Sequence, residues 1–353
     1  MQLKPGTLLQ SGKYRIVRFI NSGGFGCTYE ALHTMFDEKV AIKEFFVKDF
    51  CNRDESTSHV TVGTQGKKAL VEKLKRKFIE EAKVLYKMKH QGIVTVKDIF
   101  EENGTAYYVM NYMDRSLSQL IDDKGRLTEA EALRYIRQVS ETLKYVHSKG
   151  MLHLDIKPVN IMIDEEDNPI LIDFGNSKQY DEEFGDGPIT LLGIAPGYAP
   201  LEQYMQGGVA AFSPETDIYS LGATLYKLVT GITPPGPDEM IYENGINFPK
   251  DIHLSENIKG VITYAMQLKR KDRPHSIEEF LKALDGVSQP PVPAQKLKNW
   301  IFYVVLAVLL GVAGYLVYDG INRDEKKEAQ GSGGETAGIL QSYPWQEERS
   351  RLG

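Results

Sequence analysis

The sequence predicts an α+β fold in two lobes, a β-rich amino-terminal lobe and a mainly helical one after it, with one membrane-spanning helix near the carboxyl end. Three observations carry that expectation. Short β-prone runs crowd the early chain, at Tyr14 to Ile20, Thr28 to His33 and Lys39 to Phe45. Apolar residues at helical intervals dominate later. Residues 300 to 318 then read WIFYVVLAVLLGVAGYLVY, nineteen residues without a charge.

Composition narrows the classes. Of the 353 residues, 42% are hydrophobic and 25% charged, ordinary for a chain that buries a core. A formal charge of −6 provides no broad positive field, so no nucleic-acid partner is expected. Cys27 and Cys51 are too few for a disulfide framework and lack zinc-site spacing, which suggests a reducing compartment. Met1 to Gln10 contains no apolar run of signal-peptide length, so residues 1 to 285 are expected in the cytosol.

In chain order, the first chemical signal is NSGGFG, residues 21 to 26, between two expected strands. Glycine there lets backbone approach phosphate oxygens, although an ordinary glycine-rich hairpin would read the same way. In Val40-Ala41-Ile42-Lys43, strand alternation puts Ala41 and Lys43 on the face opposite Val40 and Ile42. The small Ala41 leaves room for a flat ring, and Lys43 can reach phosphate if a carboxylate positions it. The segment Lys48 to Gly66 reads as a polar loop with no legible role. From Lys67 to Met88, residues Leu74, Phe78, Leu85 and Met88 form a helical stripe that includes Glu81 and excludes Glu80. An acid on an inward face needs a partner, which predicts a Lys43 to Glu81 ion pair; the alternative is a surface-exposed Glu81.

Thr128 followed by Glu131 has capping-box spacing, and Leu133, Ile136, Val139, Leu143 and Val146 recur behind it. The expected helix delivers the chain to Met151 and then to His153-Leu154-Asp155-Ile156-Lys157-Pro158-Val159-Asn160. Asp173-Phe174-Gly175 follows the β-like run Ile170 to Ile172. Asp155 offers a carboxylate to orient a hydroxyl, Lys157 a cation near a transferred phosphate, and Asn160 with Asp173 oxygen ligands for magnesium. Ser213-Pro214 starts another helix, apolar on most sides through Leu221, Leu225, Tyr226, Leu228 and Val229 and stopped by Gly231; it reads as a buried central helix.

These ordered motifs resemble the eukaryotic-type protein kinase superfamily, especially the membrane-anchored serine/threonine kinases of bacteria. The resemblance covers residues 11 to 285 and implies a protein-kinase-like fold, with a small lobe at 11 to 113 and a large lobe at 114 to 285. ATP and magnesium, or manganese as an alternative divalent ion, would lie between them. It also implies transfer of the γ-phosphoryl group to serine or threonine hydroxyls of proteins; the Lys157-Pro158 pair is similar to the serine/threonine branch. By the same resemblance Gly23, Gly24 and Gly26 cover the phosphates, with Ile20, Asn21, Thr28 and Ala41 also on the nucleotide. Lys43 and Glu81 position it, Asp155 is the catalytic base, and Asn160 and Asp173 hold the metal. Met110 is the gatekeeper, with Asn111 to Met113 as the hinge to adenine. Glu202 in GYAPLEQ and Arg273 in KDRP form a buried support pair, and Asp217 in DIYSLG is a further support.

The pattern is broken in places. Asn21 stands where glycine is usual, and Thr28 where valine is. Leu154 replaces an arginine that would bind activation-loop phosphate, which argues against switching by that route. Ile194 or Ala195 stands where a threonine is usual. Ser177 and Thr190 are candidate autophosphorylation sites. The competing functions are a pseudokinase scaffold that binds nucleotide and partners without transfer, and a kinase for small molecules.

Residues 286 to 299 contain QPPVPAQ and read as an extended juxtamembrane linker. At helical rise, residues 300 to 318 span roughly 28 Å, about one bilayer core, with Trp300, Tyr315 and Tyr318 toward the ends. Flanking lysines and arginines do not orient the span, so the cytoplasmic placement of the preceding lobes follows from ATP use. Gly311 and Gly314 permit close helix contact, which suggests a homodimer. Residues 319 to 353 are polar, too short for a substantial core, and read as a flexible tail.

Overall fold

A computed structural model describes residues 2–23, 26–63, 65–175, 178–179, 194–204 and 212–286. The amino-terminal lobe is built on β1 (Leu8–Leu9), β2 (Tyr14–Gly23), β3 (Gly26–His33), β4 (Glu38–Phe45), β5 (Cys51–Arg53), β6 (Val60–Val62), α1 (Lys68–Lys87), β7 (Val96–Glu102) and β8 (Thr105–Asn111). Six of these strands form an antiparallel sheet in the order β1-β2-β3-β4-β8-β7. The expected strands are present and longer than anticipated. Pairing of Asn21 with Thr28, Ser22 with Cys27 and Gly23 with Gly26 carries β2 and β3 to the edge of the glycine-rich turn. A Cβ on Gly26 would lie 1.9 Å from the Glu44 carbonyl oxygen, so this strand start tolerates only glycine.

Alternation along β4 appears as expected. Val40, Ile42 and Glu44 are fully buried on one face, while Ala41 and Lys43 take the other. Helix α1 covers the Lys43 face through Val71, Leu74, Phe78, Ala82 and Leu85. Phe78 packs on Phe45 and Tyr108, with ring centroids 5.7 and 5.0 Å apart. The segment 48 to 66, expected as a loop, instead contains the antiparallel hairpin β5–β6, in which Cys51 and Val60 are buried.

The second lobe comprises β9 (Arg115–Ser116), α2 (Leu117–Lys124), α3 (Glu129–Ser148), β10 (Met151–Leu152), β11 (Ile161–Ile163), β12 (Pro169–Leu171), β13 (Lys178–Gln179), α4 (Leu201–Tyr204), α5 (Pro214–Thr230), α6 (Pro237–Tyr242), α7 (Glu256–Ala265) and α8 (Ile277–Leu284). The capping box of α3 closes in both directions: Thr128 Oγ1 accepts from the Glu131 amide at 3.3 Å, and the Glu131 carboxylate accepts from the Thr128 amide at 2.9 Å. Helix α5 is buried along nearly its whole length and ends at Gly231, whose φ of +73° suits glycine at a helix end. Among the described residues no helix is long and apolar enough to cross a membrane. The expected span at 300 to 318, the linker from 287 and the tail from 319 lie outside the described residues.

Arg273 ties α4 to the helical core. Fully buried, it meets Glu202 with two hydrogen bonds of 2.7 and 3.0 Å, and its remaining donors reach the carbonyls of Gln267, Leu268 and Glu215. Removing it would leave Glu202 buried and unpaired. Arg273→Ala should lower the unfolding free energy by about 3–5 kcal/mol in urea denaturation, and a loss below about 1 kcal/mol would contradict this role.

Candidate active site

Lys43 brings three separated segments together. Its ammonium lies 2.7 Å from Asp173 Oδ1 and 3.6 Å from Glu81 Oε1, and 5.6 Å from the centre of the Tyr108 ring. The predicted Lys43 to Glu81 pair is therefore present, but the shorter partner is Asp173, which sequence spacing did not pair with it. Glu81 gets there because Phe78, one turn earlier, fixes α1 on the sheet, and Tyr108 Oη donates to Glu81 Oε1 at 3.3 Å. Asp173 gets there by adopting φ +60° just after β12, a conformation that non-glycine residues seldom take outside constrained sites.

Only 12% of the Lys43 side chain is exposed. Burial opposes its charge, but Asp173 and Glu81 outweigh that effect and raise its pKa well above the usual lysine value. Burial raises the Glu81 pKa, with Lys43 opposing in part. For Asp173, whose side chain is 40% exposed, partial desolvation acts upward, yet Lys43 holds the carboxyl below its ordinary value.

The second half of the site is the loop after β10. The Asp155 carboxylate has Lys157 Nζ at 2.8 Å from one oxygen and 2.9 Å from the other, and accepts from Asn160 Nδ2 at 2.8 Å. Burial raises the Asp155 pKa against the pull of Lys157. Its Oδ1 is buried against the Lys157 ammonium. The loop is held from behind by Asp217, whose buried carboxylate accepts from the backbone amides of His153 and Leu154 at 2.9 and 2.8 Å and lies 2.8 Å from His147 Nε2. Leu154 has φ +63°, and its carbonyl accepts from Gln203 Nε2 at 2.9 Å. Both sides of the residue before Asp155 are thereby clamped. Gln203 and His147 were not anticipated; these contacts span 49 and 70 residues, beyond any local pattern.

On the sheet side, Thr28 pairs with Lys43 and Ala41 with Met110, which puts these residues on one face. Ile20 sits in a β-bulge of β2 and is exposed, as are Asn21 and Gly23 beyond it. Asn111 ends β8 exposed, and Met113 packs part-buried after it. Gly24, Ser177 and Thr190 lie outside the described residues.

The donor set fits a nucleotide bound together with a divalent ion. Asn160 commits its nitrogen to Asp155, which leaves Oδ1 as its acceptor for a ligand, while 40% of the Asp173 side chain is exposed. Among the described residues no group of three or more acidic, histidine or cysteine side chains could hold a metal alone. Two oxygen donors suit an ion that keeps waters and takes its other ligands from phosphate.

The protein kinase domain family matches residues 14–284. The chain is 31% identical over 225 residues to the serine/threonine-protein kinase PrkC of Bacillus subtilis, covering 64% of this chain and 31% of that one. It is 29% identical over 301 residues to the serine/threonine-protein kinase PknA of Mycobacterium tuberculosis, covering 81% and 64%. It thus spans less than two thirds of the length of either relative. Among solved structures, the apo form of PpkA-294 superimposes with a TM-score of 0.66 at 28% identity, covering 80% of this chain and 99% of that one.

The opposite shifts of Asp155 and Asp173 carry opposite signs into stability. A raised carboxyl pKa contributes stability below the ordinary carboxylate pKa that is lost as pH rises through the raised value. At neutral pH ionised Asp155 therefore opposes folding. A lowered pKa contributes stability above the ordinary value that is lost as pH falls through the lowered one. In buffer free of metal and nucleotide at neutral pH, Asp155→Asn should raise the urea midpoint and Asp173→Asn lower it, the second effect shrinking on acidification. Shifts of the same sign would refute the assignment.

Proposed function

The chain belongs to the protein kinase domain family, and on that footing we propose that it transfers the γ-phosphoryl group of ATP to serine or threonine hydroxyls of proteins. The observation that carries this reading is the convergence of Lys43, Glu81 and Asp173 beside Asp155, Lys157 and Asn160, groups drawn from β4, α1 and two loops. When bound, ATP supplies the phosphoryl group and a divalent ion neutralises charge on its phosphates. Asp155 orients the acceptor hydroxyl and takes up its proton; its raised pKa suits a base. Lys157 stabilises negative charge beside that acceptor. Lys43, positioned by Glu81, holds phosphate oxygens, while Asn160 and Asp173 serve as the metal ligands. Ala41, Thr28 and Met110 give the adenine an apolar wall, with Ile20 and the turn at Asn21 to Gly26 over the nucleotide and Asn111 to Met113 as the hinge.

The same proposal anchors the protein in the cell membrane by residues 300 to 318, with the kinase domain in the cytoplasm where ATP is available. Support comes from the uncharged length of that segment. Pairing of the spans through Gly311 and Gly314 would make a homodimer.

Labelled ATP tests the reaction directly. The full chain should phosphorylate itself or a generic protein acceptor on serine or threonine only when a divalent ion is present. Asp155→Asn should cut kcat by about 10²–10⁴-fold, and Lys43→Met by about 10²–10³-fold. A folded chain that binds ATP yet transfers nothing would favour the nucleotide-binding scaffold instead. For the anchor, deletion of residues 300 to 318 should move the protein from the membrane to the soluble fraction; retention on membranes would contradict it.

A further inference from the structure

The hairpin β5–β6 is absent from the chemistry above, yet it is fastened to the strand that carries Lys43. Glu44, next to Lys43 and facing the other side of the sheet, is fully buried, and Arg53 on β5 is 2% exposed. Glu44 Oε2 accepts from Arg53 Nη2 at 2.6 Å and from Tyr29 Oη at 2.8 Å, and Oε1 accepts from Tyr107 Oη at 2.8 Å. Arg53 also donates to the Ser58 carbonyl at 2.8 Å, which closes the hairpin, and lies 5.2 Å from the Phe46 ring. A second fastening joins the Val60 amide to the Asn103 carbonyl at 2.7 Å, in the turn between β7 and β8.

A buried ion pair contributes little net stability over an apolar substitute, because desolvation offsets the attraction; its best-attested use is to specify register. A fixed start is what α1 lacks locally. The Lys67 cap makes no side-chain hydrogen bond, the first turn carries no acid, and Lys67 and Lys68 stand at the positive end of the helix dipole. The helix's own first turn supplies neither a side-chain cap nor an acid to set its start. The hairpin does so by position: after Val62 the Gly63 amide donates to the Phe50 carbonyl at 2.9 Å, and the chain enters α1 at Lys68.

We propose that the β5–β6 hairpin is a built-in brace that places α1, and through it Glu81 against Lys43, with Arg53 and Glu44 as positioning residues. The inference deepens the kinase reading and rests on it for the use of Glu81. An unbraced α1 would still pack by Phe78 and its apolar stripe but fray from its uncapped amino end, and the Lys43 to Glu81 separation of 3.6 Å would loosen.

Amide hydrogen exchange on the full chain tests this. Arg53→Met alone leaves Glu44 charged and unpaired and can unfold the lobe. The deciding variant is therefore Glu44→Gln with Arg53→Met, whose side-chain amide at position 44 can accept from one of the two tyrosine hydroxyls and donate to the other. Amides of Lys68–Lys87 should exchange roughly tenfold faster or more in the double variant, while those of α5 and α8 keep their rates. In that background Glu81→Gln should change ATP affinity less than it does in the unmodified chain, because the residues act through one position. Acceleration confined to residues 51 to 62, strict additivity with Glu81→Gln, or failure of the double variant to fold would each overturn the proposal. Exchange is read without turnover, so a chain that transfers no phosphate would defeat the kinase reading and leave this result legible.

Discussion

A buried ammonium with two carboxylates around it is the constraint on which the rest of this structure depends. Lys43 is nearly removed from water, and an isolated charge there would cost more than the lobe could offset. It must be met by acids, and these come from elements distant from β4 in sequence: Glu81 from a helix packed by Phe78, and Asp173 from a loop 130 residues on. Satisfying one side chain therefore couples the sheet, α1 and the segment after β12. The same coupling makes the site electrostatically divided, with Asp173 held toward ionisation by Lys43 and Asp155 held toward protonation by burial. Two carboxyls with opposed tendencies suit the proposed roles of metal ligand for Asp173 and proton acceptor for Asp155.

The supporting architecture repeats that economy at longer range. Asp217 and Gln203 grip the amide and carbonyl of Leu154, and Arg273 fixes the short helix from which Gln203 projects through Glu202. Such a network resists movement because each donor that shifts leaves a buried acceptor unpaired. Leu154 itself is buried and apolar, so the position usually held by an arginine contributes packing here. The arrangement around Asp155 relies on hydrogen bonds built into the fold.

Much of this was legible in the sequence where the signal is local. Alternation in β4 assigned Lys43 its face, the stripe from Leu74 to Leu85 carried Glu81 inward, and Thr128 with Glu131 announced the start of α3. Glycine at 231 marked the end of α5 for the same reason, since only a residue tolerant of positive φ fits there. What escaped was non-local. The short contact from Lys43 to Asp173 depends on a backbone turn at Asp173 that no propensity encodes, and the contact from Gln203 to Leu154 joins segments whose proximity is a product of the whole fold. Segment 48 to 66 looked like a loop because its strands are three residues each and its turn is polar. The arginine that docks it finds its acid only after β4 is in place.

Calorimetric titration of ATP, with and without magnesium, tests the central arrangement most directly when repeated on Asp173→Asn. If Asp173 answers Lys43 in the nucleotide-free protein and a metal in the bound one, the unmodified chain should bind ATP more tightly with magnesium. Asp173→Asn should erase that gain while retaining magnesium-free binding, since Lys43 keeps Glu81. A magnesium gain that survives in Asp173→Asn would contradict the account, because the ion would then be held by other residues.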